Sequence, residues 1–338
     1  MRTILILNPT SGASMLAAGT ETPEQHEEAI LAALRGYDIE PEVWYTTPED
    51  TGGGLARQAA KEGADLVVAA GGDGTIHAVA TGLIGSKSTL GIIALGTMNN
   101  LAHSLDIPDT IEGACAVLAK GETKLIDVGK INEHVFLEVA GIGLEAVLFP
   151  AAEEIKSRGW LLGIDALVRG LVSLFSYQTT SLKIRFDGRK WRPYKAIQVT
   201  VCNSPYYGAH FEAAPNALMD DGLLDVVIFR NFSKLEYLRH ADSIRRGERV
   251  LQPKITHRKA KSLYISADQP VEYHADGIPH GCTPATITIV PGALRVRVPQ
   301  KVASGPNMAS PELKQTQRYK DITCVETSDE KGQEYAKQ

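Results

Sequence analysis

A glycine-rich turn follows an apolar run in the first third of the chain. Residues 65–70 are mostly apolar, and Gly71-Gly72-Asp73-Gly74-Thr75 comes next, before a helical pattern that starts at Ile76. Glycines let the backbone turn sharply and approach a ligand closely, and the amides at a helix start favour an anion. Asp73 can face the cation that accompanies a phosphate. The segment therefore predicts a phosphate-binding turn.

Two further turns of this kind follow apolar runs. Residues 3–7 precede Asn8-Pro9-Thr10-Ser11-Gly12, and residues 90–95 precede Gly96-Thr97-Met98-Asn99-Asn100. In a parallel sheet the carboxyl ends of the strands meet at one edge, where α/β proteins bind ligands. The Walker pattern GxxxxGK[ST] does not occur in the sequence, so the three turns predict a nucleotide site of another kind.

One glycine pattern does not fit its usual meaning. The run from Gly141 to Ala146 matches the dinucleotide pattern GxGxxA. The acidic residue about twenty positions later, Asp165, falls in an apolar helical stretch instead of at a strand end. We therefore do not interpret this run as a dinucleotide site.

The elements that carry these turns indicate an α/β domain with a parallel sheet over residues 1–127. Short apolar runs alternate there with helical stretches, and most of the runs lack period-two alternation, as strands covered on both faces do. The first helix is predicted from Pro23, with Thr22 as its N-cap, to just before Gly36.

Residues 128–299 are expected to form a second domain, an antiparallel β-sandwich-like structure. The pattern changes there to alternating or β-branched runs. Strands are predicted at residues 181–186, 196–201, 224–229, 262–266, 285–289 and 294–298. Residues 300–338 are rich in Ser, Pro, Gln and Glu, and we expect a disordered tail.

Composition limits the function classes. The 338 residues carry a formal net charge of −5, so we expect no nucleic-acid partner. The four cysteines are widely spaced, without metal-like spacing, which argues against a disulfide framework or a zinc site. The apolar run near the first residue is too short for a signal-peptide core. These features predict a cytoplasmic protein.

Two segments leave alternatives open. The helical stretch 151–176 is largely apolar but too short and too often interrupted by charge to span a bilayer. It can bury one face in the core or line a groove for a lipid tail. Residues 239–261 hold eight Lys or Arg and two acidic residues, which suits either transient contact with an anionic membrane surface or a solvated helix and strand edge.

Four motifs in order resemble the diacylglycerol kinase catalytic family, which includes bacterial soluble lipid kinases and sphingosine kinases. They are Gly71–Thr75, Gly96–Asn100, Asn203–Asp225 and Asp276-Gly277, and the resemblance covers residues 1–299. It implies a phosphofructokinase-like or NAD kinase-like α/β domain, with ATP held between it and the β-rich domain. It also implies Mg²⁺-dependent phosphorylation of a lipid hydroxyl, diacylglycerol-like or sphingoid, and a last strand near 285–299 that returns to the first domain.

The resemblance implies a role for each matching residue. Asp276 is the expected general base, Asp73 lies near the catalytic magnesium, and Asp127 joins the active-site carboxylates. Asp221, and less directly Asp220, are expected to hold a second, structural magnesium. The nucleotide-binding residues are expected to be Asn8, Thr46, Gly71, Gly72, Asp73, Gly74, Thr75, Gly96, Thr97 and Asn99.

The sequence departs from the family pattern at two positions. Ile278 stands where the family usually has the glutamate of Asp-Gly-Glu, and His103 stands where an arginine commonly follows the Gly-Thr-x-Asn turn. A non-catalytic regulator that binds nucleotide or lipid therefore stays an alternative to the kinase. An NAD kinase is disfavoured by the segment 203–225. The sequence names no acceptor and leaves open whether the chain forms a homodimer.

Overall fold

The computed structural model describes residues 1–11, 23–146, 177, 179–207, 211–230, 232–233, 235–236, 239 and 254–300. The expected N-cap Thr22, the apolar stretch 151–176, most of the basic segment 239–261 and the tail from residue 301 lie outside these residues. What was predicted for them stays a prediction.

The amino-terminal part is the α/β arrangement that the apolar runs predicted. Its strands pair in parallel in the spatial order β4, β3, β1, β2. Every residue of β1 and β3 is buried, because helices cover both faces of the sheet. The strands are β1 (Thr3–Leu7), β2 (Glu42–Tyr45), β3 (Leu66–Gly71) and β4 (Thr89–Ala94), and the helices are α1 (Pro23–Arg35), α2 (Gly53–Lys61), α3 (Asp73–Leu83), α4 (Asn100–Ser104) and α5 (Ile111–Lys120).

The carboxyl-terminal part is antiparallel, as its β-branched runs predicted. Its strands are β5 (Glu122–Ile131), β6 (His134–Phe136), β7 (Val139–Gly143), β8 (Thr180–Phe186), β9 (Arg192–Cys202), β10 (Tyr206–Tyr207), β11 (Phe211–Glu212), β12 (Leu224–Arg230), β13 (Ile255–Ala260), β14 (Ser262–Ala267), β15 (Glu272–Ala275), β16 (Ile278–Cys282) and β17 (Ala285–Val298). In β8 the side chains of Leu182, Ile184 and Phe186 are buried, and the residues between them are not. This alternation is the signature of a sheet with one face on a core.

Strand β17 belongs to both parts of the molecule. Its first half pairs antiparallel with β14 and β5, and its second half pairs parallel with β4 through Arg295 and Val296. A register shift between Val290 and Leu294 separates the halves. Leu294 and Val296 pack in the core of the α/β part, whereas Ile287 packs in the β-rich core. One strand therefore ties the two cores together.

Among the described residues, no helix has both the length and the apolar character that a membrane span requires.

Because β17 packs in both cores, we predict that it stabilises the whole fold. Leu294 is 1% exposed, so Leu294→Ala is expected to lower the free energy of unfolding by about 2–5 kcal/mol through lost burial and a cavity. Leu125→Ala on the adjacent strand is the control, because Leu125 is 48% exposed and its loss should change stability by less than about 0.5 kcal/mol. Urea unfolding measures both. Equal effects of the two variants would contradict the role of β17.

Candidate active site

Three turns meet at the carboxyl edge of the parallel sheet. The side-chain amide of Asn8, after β1, donates a hydrogen bond to Thr75 Oγ1 at 3.0 Å. The backbone N–H of Gly72, after β3, donates to Ser11 Oγ at 3.3 Å. A Cβ on Gly96, after β4, would lie only 2.9 Å from the Cα of Gly72. The turns therefore pack against one another around one space.

The other predicted nucleotide residues lie on this same edge. The backbone N–H of Thr46, directly after β2, donates to Leu7 O at 3.0 Å, which places Thr46 beside the first turn. Thr97 lies within the third turn. The structure thus brings together all the predicted nucleotide residues: Asn8, Thr46, Gly71, Gly72, Asp73, Gly74, Thr75, Gly96, Thr97 and Asn99.

Packing requires a glycine at one position of the second turn but not at another. A Cβ on Gly71 would lie 2.7 Å from Thr75 Cβ, so the fold itself demands glycine there. A Cβ on Gly74 would meet no atom within 4 Å, and the residue does not have a positive φ. Packing therefore gives no reason for a glycine at position 74, and the open space beside it is where a ligand can approach the start of α3.

Asp73 links the second turn to the third. Its Oδ1 accepts the backbone N–H of Asn100 at 2.8 Å, and its Oδ2 accepts that of Asn99 at 3.2 Å. Asn99 has a left-handed backbone with φ 51°, and its own Oδ1 accepts the N–H of Gly96 at 3.0 Å. Asp73 therefore shapes the third turn, and each of its oxygens keeps a lone pair for another partner.

Asp276 lies at the turn between β15 and β16 and is almost fully bound. Its Oδ1 accepts the N–H groups of Glu138 and Val139 at 3.0 and 2.8 Å. Its Oδ2 accepts the N–H of Leu137 at 2.6 Å and lies 2.9 Å from Nε2 of His77. A carboxylate offers about four lone-pair positions, so these contacts use all of them.

The contact with His77 sets the charge of both groups. Burial raises the pKa of Asp276, but the hydrogen bond and charge of His77, with the backbone donors, bring it below its usual value. Burial lowers the pKa of His77, but the hydrogen bond and charge of Asp276 raise it above the ordinary histidine value. The His77 side chain is 29% exposed and that of Asp276 is 8% exposed, so solvent or a ligand reaches this pair from the histidine side.

Glu138 is a third acidic group at this place, and the sequence reasoning missed it. Burial raises its pKa well above the usual value, and the charges of Asp276 and Asp73 raise it further, while a hydrogen bond with Asn100 lowers it. The signal was present in the sequence, since Glu138 is a lone acidic residue in the apolar run Val135–Ile142. Such a residue is costly unless it is paired or functional.

A buried polar cluster supports the Asp276 turn from below. His274 is fully buried, and its Nδ1 accepts the N–H of Gly277 at 3.1 Å. Its Nε2 lies 3.4 Å from Glu145 Oε1. The other oxygen of Glu145 accepts hydrogen bonds from Gln198 Nε2 at 2.6 Å and Thr200 Oγ1 at 2.7 Å. Sequence reasoning missed this cluster because its members come from two separate strands and a short helical turn.

The glycine pattern at residues 141–146 has its explanation here. Strand β7 pairs antiparallel with β9 and β15, which differs from the parallel strand of a dinucleotide fold. A Cβ on Gly141 would clash with His274 Nε2 and Glu145 Cδ. Gly141 therefore makes room for the buried cluster, which agrees with the rejection of a dinucleotide site.

Asp127 ties segments of the backbone together. Its Oδ1 accepts the N–H of Gly292 at 2.8 Å, and its Oδ2 accepts that of Gly222 at 2.7 Å. Its carbonyl oxygen accepts a hydrogen bond from Asn203 Nδ2 at 2.9 Å. From its place on β5, Asp127 therefore links that strand to the segment 219–222 and to the bend of β17, at the junction of the two parts.

The acidic loop around Asp221 is neutralised by lysines. Lys259 Nζ lies 2.7 Å from Asp221 Oδ2 and 3.2 Å from Asp225 Oδ2. Lys124 Nζ lies 2.8 Å from Asp220 Oδ2. Across the described ranges, no group of three or more His, Cys, Asp or Glu side chains is arranged to hold a metal ion. The ammonium groups lie where a structural magnesium was expected, so the residues present do not fit that ion.

The two departures from the family pattern lie at the rim of the site. Ile278 begins β16, two positions after Asp276, and is 55% exposed. His103 on α4 has its Nε2 3.6 Å from Asp109 Oδ2. Neither position brings a fixed positive charge or a carboxylate to the space between the turns.

Comparisons with known proteins match both parts of the chain. Residues 2–131 match the family model described as "Diacylglycerol kinase catalytic domain", and residues 139–298 match the model described as "YegS C-terminal NAD kinase beta sandwich-like domain". The second match agrees with the sandwich-like fold expected for residues 128–299.

Curated relatives and a solved structure cover nearly the whole length. A diacylglycerol kinase of Bacillus subtilis (strain 168) is 29% identical over 309 residues, which is 89% of this chain and 98% of the relative. One of Staphylococcus aureus (strain JH9) is 28% identical over 309 residues, 90% of this chain and 94% of the relative. The crystal structure of a proposed diacylglycerol kinase from Bacillus anthracis (strain Sterne) is 27% identical, with a TM-score of 0.72, over 89% of this chain and 98% of that one.

The different demands on Gly71 and Gly74 give a matched pair of variants. Gly74→Ala is expected to keep stability or raise it by up to about 1 kcal/mol, because alanine favours a helix start that has room for it. It should weaken binding of ATP, the nucleotide expected from the sequence, because its methyl group occupies the ligand space. Gly71→Ala should instead lower stability by about 1–3 kcal/mol through overpacking.

Thermal unfolding and calorimetric titration with ATP measure the two effects separately. A Gly74→Ala variant that binds ATP as tightly as the wild type would show that no ligand approaches this part of the turn.

Proposed function

Because residues 2–131 match the model of the diacylglycerol kinase catalytic domain, we propose that the protein transfers the γ-phosphoryl group of ATP to the hydroxyl group of a lipid. The observation that carries the proposal is the contact between His77 Nε2 and Asp276 Oδ2 at 2.9 Å. His77 lies on the helix that starts at the phosphate-binding turn, and Asp276 lies 199 positions later in the chain. The backbone N–H groups proposed to bind phosphate and the candidate general base therefore lie close to each other.

The glycine turns are proposed to hold the triphosphate. The amides at the start of α3 can donate to phosphate oxygens, and Asn8 and Thr75 line the same space. Mg²⁺ arriving with the nucleotide would neutralise charge on the phosphates, and Asp73 is the carboxylate placed to face it. Mg²⁺ bound with a nucleotide needs only one or two protein carboxylates, so this role fits a site that lacks a complete protein cage.

Asp276 is proposed to take the proton of the acceptor hydroxyl. As the oxygen attacks the γ-phosphorus, its proton passes to Asp276 Oδ2 and ADP leaves with the pair of electrons of the broken bond. Three of the four contacts of Asp276 are from backbone N–H groups. The acceptor hydroxyl therefore takes the place of His77, the one side chain among these partners.

Glu138 supplies an acidic group near Asp276, whereas Ile278 stands at the position where the family usually has a glutamate. The family's glutamate at position 278 is absent, whereas Glu138 brings an acidic group to the same junction from the other side. A regulator that binds nucleotide without turnover remains the second candidate, favoured by the isoleucine at this position. We propose that the acceptor is a diacylglycerol-like or a sphingoid lipid. We also propose that the protein associates temporarily with the membrane surface.

The first test is transfer of labelled γ-phosphate from ATP to a total lipid extract in the presence of Mg²⁺. The wild type should produce a labelled lipid. Asp276→Asn should lower the rate by about 10²–10⁴-fold because the base is lost, with ATP affinity nearly unchanged and a melting temperature that shows the variant is folded. A wild-type protein that binds ATP but labels no lipid would favour the regulator.

A second test uses the pH dependence of kcat/KM. Asp276 raises the pKa of His77, so the imidazolium form persists to a higher pH than in a free histidine and keeps Asp276 occupied. Activity should therefore rise with pH as His77 loses its proton. His77→Asn should move this acid limb to lower pH, while His257→Asn on β13 should leave it in place. An unchanged limb in His77→Asn would show that His77 does not control access to Asp276.

A further inference from the structure

The hairpin formed by β8 and β9 is strongly basic, although the whole chain is acidic. Residues 181–195 contain six basic residues and one acidic residue, in a chain with a net charge of −5. The six are exposed, except that Arg185 is half-buried. They are Lys183, Arg185, Arg189, Lys190, Arg192 and Lys195.

The single acidic residue of the hairpin is used internally. Asp187 Oδ1 accepts the backbone N–H groups of Lys261 and Ser262 at 2.8 and 3.0 Å. Asp187 and Gly188 have positive φ angles of 47° and 70°, the geometry of a tight hairpin turn. The carboxylate is thereby held against the neighbouring strand, and the turn that carries the basic residues is fixed.

Aromatic rings stand among these charges. Trp191 is 46% exposed, and its ring packs edge-on against Tyr264 with centroids 5.5 Å apart. The guanidinium of Arg185 lies 5.2 Å from the Trp191 ring and 5.6 Å from the Tyr264 ring. Arg185 and Tyr264 are register partners on adjacent strands. The indole is therefore held at the surface by packing on one side and open on the other.

The basic surface continues along the sheet. Lys183 and Arg185 project from the side of β8 opposite to its buried residues, and Lys195 is exposed on β9. The surface is thus a face with a projecting turn, and not a groove that would enclose a small ligand.

We propose that this hairpin, residues 181–195 with Tyr264, is a docking surface for an anionic lipid bilayer. Clustered Lys and Arg are attracted to anionic headgroups, and Trp and Tyr prefer the interface between headgroups and acyl chains. A convex face with an exposed indole suits a broad, soft surface. The inference deepens the proposed function, because a kinase of membrane lipids must stay near its acceptor. It lies in a different part of the chain from the basic segment 239–261.

The test is binding to phosphatidylcholine vesicles with and without phosphatidylglycerol, measured by sedimentation without nucleotide. The wild type should bind only the anionic vesicles, and less as salt is raised. The triple variant Arg189→Glu, Lys190→Glu, Arg192→Glu should bind at least about a hundredfold more weakly. The matched triple Arg35→Glu, Lys61→Glu, Lys87→Glu makes the same change in net charge on the α/β part and should bind almost as the wild type does.

Trp191 provides a second readout. Its fluorescence, obtained as the difference between the wild type and Trp191→Phe, should shift to the blue on anionic vesicles because the indole enters the interface. Equal loss of binding in the two triple variants, no binding by the wild type, or an unshifted Trp191 would each overturn the proposal. Binding of a soluble polyanion such as heparin to the hairpin as tightly as vesicles would overturn it too, in favour of a general anion site.

Activity separates this proposal from the proposed kinase. In neutral detergent micelles the hairpin triple variant should phosphorylate lipid at the wild-type rate, and on anionic vesicles it should lose most of its activity. A wild type that binds vesicles but never transfers phosphate would refute the kinase and leave the docking surface standing. Equal activity of the wild type and the hairpin variant on vesicles would refute the docking surface alone.

Discussion

The carboxylate of Asp276 is the point on which the arrangement of the site depends. It accepts the backbone N–H groups of residues 137, 138 and 139 and contacts His77 on the helix of the glycine turn. A buried carboxylate is stable only when its lone pairs are satisfied. The hydrogen bonds that satisfy Asp276 therefore join the β15–β16 turn, the segment 137–139 and the α/β part at one place. The same contacts that stabilise Asp276 also bring it beside the helix that follows the glycine turn.

The contacts of Asp276 bring several carboxyl groups close together where the β15–β16 turn meets the α/β part. Desolvation, and then the charges of Asp276 and Asp73, raise the pKa of Glu138 well above its usual value, which is a cost to the folded protein at neutral pH. Buried polar groups that are only partly compensated are typical of functional sites. The fully buried His274 and the Glu145 carboxyl beneath the turn are, by contrast, held by neighbouring side chains and backbone.

The surface charge of the molecule is divided between two tasks. Lysines form ion pairs with Asp220 and Asp221 of the acidic loop, where the structural magnesium was expected. The lysines and arginines of the β8–β9 hairpin are directed outwards instead. Strand β17 connects the two cores, so the hairpin on the β-rich part and the glycine turns on the α/β part belong to one framework.

The sequence by itself determined the parallel and antiparallel parts, most strand positions and the three glycine- or asparagine-rich turns after β1, β3 and β4. These features depend on local patterns, namely apolar runs, β-branched alternation and glycines at strand ends. The order of four motifs was enough to indicate the family and to single out Asp276. Only the tertiary structure decided which groups touch Asp276, because His77 and residues 137–139 are far from it in the chain. It alone placed Glu138, the cluster around His274 and the lysines on the acidic loop. Burial and charge depend on what the folded chain brings together, and no local pattern records those neighbours.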